Sequence, residues 1–501
     1  MNPDKSLFTP TDTPVGLDPD DWEAFVRFCT ERLRKTVQQL STVANDKVWS
    51  PIPETVKQAI AEEIPMKPQG IEQVCSDIED NILPYLLGNT HPRFFGWVHG
   101  TGTAGGIMSA IYAAAINANL GGREHAPVYV ERTVISWFLR LFGFPFSATG
   151  LLLSGTSMAN VVALSVARNK YGSVNVRTEG VAALPNRMVG YTSAESHVSI
   201  SKAFELLGLG SRQLRKIPVN DDFTMNTDLL RERIADDRSS GLIPFCVIGT
   251  AGTVNTAAVD DLSTLGQICQ DEGLWLHVDG AFGAMAILSD EFRTQLAGIE
   301  FADSLAFDFH KWLHVQYDAG CVLIRDGEAH RNAYSTSIDY LHNGDAASGG
   351  APWFCDFGPE LSRGFRALNV WFTIKEHGLS RLGKNVTRNC HQARYLRHLV
   401  DHHANLELLA PVSLNVVCFR YRMSSMTEED LNNLNRRLIS LIQESGIAVV
   451  SQTMIGKALA IRVNITNHRT RSSDLQLLVS AIDKLAPVAL SGIVEAAGQS
   501  N

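Results

Sequence analysis

Apolar residues in the first hundred positions recur at helical spacing. Trp22, Phe25, Val26, Cys29, Leu33, Val37 and Leu40 fall three or four apart, which predicts one long amphipathic helix. Asp18-Pro19 ahead of them offers an N-cap and an N1 proline. The stretch Trp49-Ser50-Pro51-Ile52-Pro53 breaks the pattern, so a second helix is expected from about Glu54 and another over 70–86. Residues 1–16, polar and rich in Pro and Thr, read as a disordered or draped arm. Residues 1–100 are thus expected to form a helical segment without a sheet, with too little core to stand alone and a face to pack on a partner chain.

From about 150 the pattern changes to short apolar runs: 150-GLLLSG, 187-RMVGYTS, 244-PFCVIGTAGT, 274-LWLHVDGA, 304-SLAFDFHK and 320-GCVLIRD. Continuous apolar runs with helical stretches between them predict a covered, mostly parallel sheet. Ligands of such sheets sit beyond the carboxyl ends of the strands, where the Ser, Thr, Asp and His of these runs cluster. The last 130 or so residues return to long helical patterns broken by 414-LNVVCFRYR and 458-ALAIRVNI, a small α+β domain. The expected division is 1–100, 101–368 and 369–501, with no internal repeat.

Composition narrows the function. The chain has 501 residues, 45% of them hydrophobic, and 44 Lys and Arg against 53 Asp and Glu, a net charge of −9. That balance gives no basic field for nucleic acid or anionic lipid. No apolar stretch approaches the roughly 20 residues of a membrane helix, and the N-terminus has no apolar core of a secretory signal. The eight cysteines form no CxxC and no metal-ligand spacing with histidine, so a reduced, cytoplasmic chain with no metal is expected. Gly100-x-Gly102-x-x-Gly105, with Glu124 downstream, matches a dinucleotide fingerprint as text. No convincing strand precedes or follows it, so small residues for a close helix contact are the better reading.

The strongest chemical signal is 277-HVDGAFG followed by 308-DFHKW. Each pair of polar residues lies at a strand exit, so Asp279 and Lys311 can converge on one ligand. A lone Lys is usually solvated and a lone Asp is usually a cap. A lysine between His310 and Trp312 is poorly placed for solubility, however, and desolvation there would favour the neutral, nucleophilic amine. Asp279, ending an apolar strand, requires a cationic partner.

These residues, in this order, resemble the group II pyridoxal-phosphate-dependent amino-acid decarboxylases, the family of aromatic amino-acid and glutamate decarboxylases. The similarity runs through 91-HPRFFG, 126-APVYVE, 154-SGTSMAN, His197, Thr253 and 419-FR. It implies an α/β chain of PLP-dependent fold type I (aminotransferase-like): a mainly parallel seven-stranded sheet in a large domain, a helical N-terminal segment and a small α+β C-terminal domain, assembled as a homodimer with the active site at the subunit interface. It further implies that Lys311 carries the cofactor aldehyde, that Asp279 pairs with the pyridine nitrogen, and that His197 stacks on the ring, with Ala281 beside it. Thr156 and Ser157, at a helix start, suit the phosphate, and His310 would be a second phosphate ligand. A surface loop histidine for His197 and a packed histidine for His310 are the plainer readings. Tyr340, in 336-TSIDYLHNG, falls at the position of the tyrosine that protonates the carbon that lost CO2; phenylalanine there marks aldehyde-forming relatives.

The chain also departs from the family. Asp308-Phe309 stands where the aromatic enzymes have Asn-Pro, and Gly252-Thr253-Val254 replaces Gly-Thr-Thr. Trp97, Val98 and His99 occupy the substrate-pocket segment that commonly reads Tyr-Phe-Pro-Thr, and Ser362 falls where relatives carry Gly or Ser. The implied activity is decarboxylation of an L-amino acid, aromatic favoured. The alternatives are an aldehyde synthase on the same cofactor and a decarboxylase of glutamate or diaminobutyrate type.

Overall fold

The computed structural model describes residues 16–335 and 352–498. The chain divides into two compact units, Met1–Asp46 and Lys47–Asn501. The first holds helix α1 (Trp22–Thr42). Its N-cap is Asp21, whose carboxylate accepts the Ala24 N–H at 2.9 Å, so the helix starts three residues later than Asp18-Pro19 suggested. No residue of α1 is buried within its own unit.

The second unit opens with short helices α2 (Glu54–Ile60) and α3 (Ile71–Asp77). The helix expected over 70–86 loosens after Asp77 into a π turn and a 3₁₀ turn ending at Tyr85, with Pro84 inside. Helices α4 (Ala104–Ile116) and α5 (Ala126–Leu141) lead to a seven-stranded sheet. Its strands are β1 (Thr149–Leu153), β2 (Met188–Ser193), β3 (Leu214–Ile217), β4 (Ile243–Thr250), β5 (Trp275–Asp279), β6 (Ser304–Asp308) and β7 (Gly320–Ile324). The order is β1-β7-β6-β5-β4-β2-β3, and β7 alone runs against its neighbours. The carboxyl ends of the other six therefore lie along one edge. Helices α6 (Thr156–Tyr171), α7 (Val176–Glu179), α8 (Val198–Leu206), α9 (Thr227–Ser239) and α10 (Leu262–Glu272) lie between the strands, and α11 (Gly327–Tyr334) follows β7. Strand β3, a short edge strand reading LRKI, has too little apolar character to stand out in the sequence.

Helix α12 (Arg366–Asp401) carries a break at Gly378, where φ is 70° and ψ 148°, a left-handed conformation suited to glycine. Beyond it strands β8 (Leu406–Leu408), β9 (Val416–Tyr421), β10 (Ser451–Ile455) and β11 (Ala458–Asn464) form an antiparallel sheet in the order β10-β11-β9-β8. Helices α13 (Glu428–Glu444) and α14 (Ser472–Gly498) complete this part. Its core includes Phe419, Leu438, Ile461 and Ile482, and Phe95 joins it from far upstream. The Phe95 N–H donates to Val449 O at 2.7 Å and its carbonyl accepts from Asn464 N at 3.0 Å. This stitching carries residues 97–100 toward the edge of the large sheet. Gly100 passes so close that a Cβ there would lie 1.8 Å from His310 O. Gly105 and Gly106 likewise leave no room for a Cβ against Glu376 and Gln316. The Gly-rich stretch is thus a packing device, as the absence of flanking strands implied.

One buried ion pair ties three elements together. Arg363, just before α12, faces Glu131 of α5, both essentially inaccessible. The guanidinium also donates to Leu120 O and Leu152 O, and Glu131 accepts the Leu152 N–H of β1. Removing one partner leaves a buried charge uncompensated. Arg363→Met is therefore expected to cost about 3–5 kcal/mol in urea or thermal melts, with part of the loss recovered in the double variant carrying Glu131→Gln. An unchanged midpoint in the single variant would refute this.

Candidate active site

The edge defined by the six parallel carboxyl ends gathers most of the expected residues. Strand β1 runs through Gly155 into Thr156 at the start of α6, β2 ends before His197, the N-cap of α8, β5 ends at Asp279, and β6 at Asp308, three residues before Lys311.

Asp279 is 3% exposed. Its Oδ1 accepts the Ala281 N–H at 3.1 Å and its Oδ2 accepts from Asn160 Nδ2 at 3.1 Å. Burial pushes its carboxyl above the usual range, against the pull of Lys311, His197 and these two hydrogen bonds. Such a group calls for a cation in front of it. Desolvation, helped by Lys311, holds the His197 imidazole below its ordinary value against the pull of Asp279. His197 Nδ1 lies 2.8 Å from Ser199 Oγ and accepts the Ser199 N–H at 3.2 Å; the ring is otherwise exposed. An exposed ring held by its inner nitrogen can lie against a ligand.

Lys311 is mostly, though not wholly, removed from water. Its side chain is 22% exposed and its Nζ is 3.0 Å from Asp308 Oδ2, so a buried carboxylate pairs with it. Asp308 Oδ1 also accepts the Thr156 N–H at 2.7 Å. The carboxylate that replaces the family asparagine thus takes one of the helix-start donors assigned to the phosphate. Thr156 Oγ1, in contrast, is buried and has no protein partner. Ser157 is exposed beside it. His310 has protein partners for both nitrogens: Nδ1 accepts the Ala319 N–H at 3.0 Å and Nε2 is 3.6 Å from Asp308 Oδ2. Its ring packs on Tyr317 with centroids 4.3 Å apart.

Trp97 and His99 stand in a cluster of rings with Phe94 and Tyr317, at centroid distances between 5.7 and 6.3 Å. Trp97 and Tyr317 are each about half exposed. Desolvation, then the charges of Lys311 and His310, lower the His99 imidazole, and the next residue, Gly100, lies against the His310 and Lys311 carbonyls. Val98, between them, packs against the main core. Ser362 is exposed on the segment between Leu361, whose carbonyl lies against Gly121, and Arg363, whose N–H donates to Asn119 Oδ1. Tyr340 lies outside the described residues.

Three residues were not singled out from the sequence as site residues. Tyr317 completes the ring cluster. Asn160 touches Asp279 from α6. Arg462 of β11 is 3% exposed; it donates to Val254 O at 2.8 Å and Trp97 O at 3.0 Å, and its Nη2 has no partner. Burial pulls this guanidinium down to about 10. An arginine inside the apolar run 458-ALAIRVNI was the available signal.

A strand-end carboxylate, a lysine three residues beyond the next strand and an unpartnered hydroxyl at a helix start thus lie along one edge of the sheet. The model of the pyridoxal-dependent decarboxylase conserved domain matches residues 53–422, and the chain belongs to that family. It is 32% identical over 449 residues to the aromatic-L-amino-acid decarboxylase of Bacillus atrophaeus, covering 87% of this chain and 91% of the relative. It is 28% identical over 432 residues to the phenylacetaldehyde synthase of Petunia hybrida, covering 82% and 83%. The crystal structure of Oryza sativa TDC with PLP and tryptamine shares the fold, with a TM-score of 0.87 at 24% identity over 94% of this chain and 99% of that one. The chain is a pyridoxal-phosphate-dependent carboxy-lyase.

The residues present fit that cofactor, since Thr156 Oγ1 is an orphaned buried polar atom and Asp279 a buried carboxylate that needs a cation. Thr156→Val removes no protein hydrogen bond, so melting without cofactor should change by less than about 0.5 kcal/mol. Cofactor binding should weaken about 10-fold or more, measured by absorbance titration; unchanged affinity would remove Thr156 from the phosphate site. Borohydride reduction should bleach the visible band of the holoenzyme and leave the adduct on the Lys311 peptide, and an adduct on any other lysine would overturn that assignment.

Proposed function

We propose that the chain decarboxylates an aromatic L-amino acid to the corresponding amine and CO2. The observation that carries this reading is the ring cluster of Trp97, His99 and Tyr317, with Trp97 and Tyr317 about half exposed, at the segment where Gly100 meets the Lys311 carbonyl, a wall suited to a planar side chain. Arg462, a buried cation behind Trp97, complements the substrate carboxylate.

Pyridoxal phosphate, when bound, supplies the electron sink for the pair left behind as CO2 departs. Lys311 would hold the cofactor and exchange it for the substrate amine. Asp279 would keep the pyridine nitrogen protonated, a task its negative charge performs and a neutral amide would not. His197, with Ala281, would flank the ring, and Thr156, Ser157 and His310 would surround the phosphate. The substrate orientation imposed by the ring wall and by His197 selects the bond to be broken. Tyr340 would then deliver its phenolic proton to the α-carbon.

The working form in this reading is a homodimer in a reducing cytoplasm. Supporting it are the apolar residues that stand exposed on α1 (Trp22, Val26, Val37) and on α4 (Met108, Ile111, Tyr112, Ile116), which a second copy would cover. All eight cysteines are free, and among the described residues no helix is long and apolar enough to cross a membrane.

CO2 release screened over the common L-amino acids is expected to be greatest with tyrosine, dihydroxyphenylalanine, tryptophan or phenylalanine; preference for glutamate or diaminobutyrate would refute the aromatic reading. Tyr340→Phe deletes the proton donor at nearly constant volume. It should still release CO2 but divert product to aldehyde and ammonia, consuming O2 and forming peroxide, seen as an amine-to-aldehyde ratio that differs between air and argon. An unchanged amine yield would assign the proton to another group, and aldehyde from the unmodified enzyme would establish the synthase instead.

A further inference from the structure

Behind Asp279 runs a branched file of buried polar side chains that the chemistry above does not use. Trp275 Nε1 donates to Ser304 Oγ at 2.7 Å, and Ser304 Oγ is 2.8 Å from His277 Nδ1. His277 Nε2 is 2.9 Å from Asn160 Oδ1. Asn160 Nδ2 donates both to Asp279 Oδ2 at 3.1 Å and to Ser199 Oγ at 3.2 Å. Ser199 Oγ lies 2.8 Å from His197 Nδ1, which also accepts the Ser199 N–H. Trp275, Ser304, His277 and Asn160 are wholly buried, and Ser199 is 5% exposed.

The direction of every bond in this file follows from its ends. An indole N–H can only donate and an ionised carboxylate can only accept. Facing Asp279, Asn160 must present its amide N–H groups, which leaves Oδ1 toward His277. His277 must therefore carry its hydrogen on Nε2, and its bare Nδ1 accepts the Ser304 hydroxyl hydrogen. The Ser304 lone pair is then free for the Trp275 indole, so both ends require the same polarity. On the second branch, the Ser199 oxygen receives the other Asn160 N–H, so its own hydrogen goes to His197 Nδ1. With Nδ1 doubly engaged as an acceptor, the His197 ring presents Nε2–H to the site. Burial holds the His277 imidazole down to about 3, which keeps the ring neutral and this pattern intact across the working pH range.

We propose that Asn160 is a positioning residue, the branch point that holds Asp279 as a pure acceptor and displays His197 as its Nε2–H tautomer, with the donor-only indole of Trp275 setting the direction of the file. The proposal rests on the reading that Asp279 and His197 face the cofactor. Its consequence is that the two groups are set by one amide: a change at Asn160 disturbs the carboxylate and the stacking histidine together.

The test is ¹⁵N NMR of the full chain labelled at histidine, with and without cofactor, with the His197 and His277 signals assigned by His197→Gln and His277→Gln. Both rings should be single Nε2–H tautomers. In Asn160→Ala, His197 should become a mixture of tautomers, cofactor affinity should fall about 10-fold or more, and kcat should fall more than KM changes. His277→Gln, which keeps an N–H donor toward Asn160, should preserve the His197 tautomer and most of the turnover, whereas His277→Leu should not; this pair decides the matter if Asn160→Ala fails to fold. An Nδ1–H tautomer at His197 in the unmodified chain, or an unaltered His197 tautomer in Asn160→Ala, would overturn the proposal. If Asp279→Asn loses affinity and turnover but Asn160→Ala retains both, the positioning role alone falls. If Asp279→Asn retains both, the underlying reading of Asp279 is what has failed.

Discussion

A carboxylate buried at the end of a fully covered strand is the constraint from which the rest of the site follows. Asp279 cannot remain charged at 3% exposure without donors and a cation, because desolvation of an unpaired carboxylate costs several kcal/mol. The protein supplies donors from behind, the amide of Asn160 and the Ala281 N–H, and leaves the front to a ligand. The parallel sheet makes this arrangement possible, since it brings the ends of β1, β2, β5 and β6 to one edge. Asp279 is the last residue of β5, and Thr156, His197 and Lys311 follow within four residues of the ends of β1, β2 and β6.

The lysine is balanced in a related way. Asp308 pairs with Lys311 and also accepts the Thr156 N–H, so a single carboxylate couples the start of α6 to the lysine. In relatives with asparagine at this position the same contact would carry no charge. This chain therefore places a negative group between Lys311 and the start of α6, and it leaves the Thr156 hydroxyl, not the Thr156 backbone N–H, as the open donor there. The position of the Trp97–His99 segment depends on long-range stitching, because Phe95 is anchored in the core of the four-stranded sheet while Gly100 lies against the His310 carbonyl. Residues 97–99 are suspended between the two.

Much of this was legible in the residues. Six of the seven strands of the large sheet are continuous apolar runs, and a parallel covered sheet requires such runs. Only the polar edge strand β3 escaped, together with the short strands β8 and β10, whose alternating or brief patterns resemble loops. The lysine and aspartate stood out because solvation or capping explains a charge at the end of an apolar run poorly when two such charges end neighbouring runs. Asn160 did not, since an asparagine in a helix next to Ala159 and Val161 carries no outward mark of what its amide faces.

The sequence by itself determined the fold class, the cofactor chemistry and the family, because periodicity and strand-exit residues are local properties of the chain. Only the tertiary structure decided which polar groups meet. It paired Lys311 with Asp308, left Thr156 Oγ1 without a partner, buried Arg462 behind Trp97, and set Asn160 between two functional side chains. Apart from the Lys311–Asp308 pair, three positions apart, those contacts join residues tens to hundreds of positions apart, and hydrogen-bond direction and desolvation depend on the full set of neighbours, which no one-dimensional pattern contains.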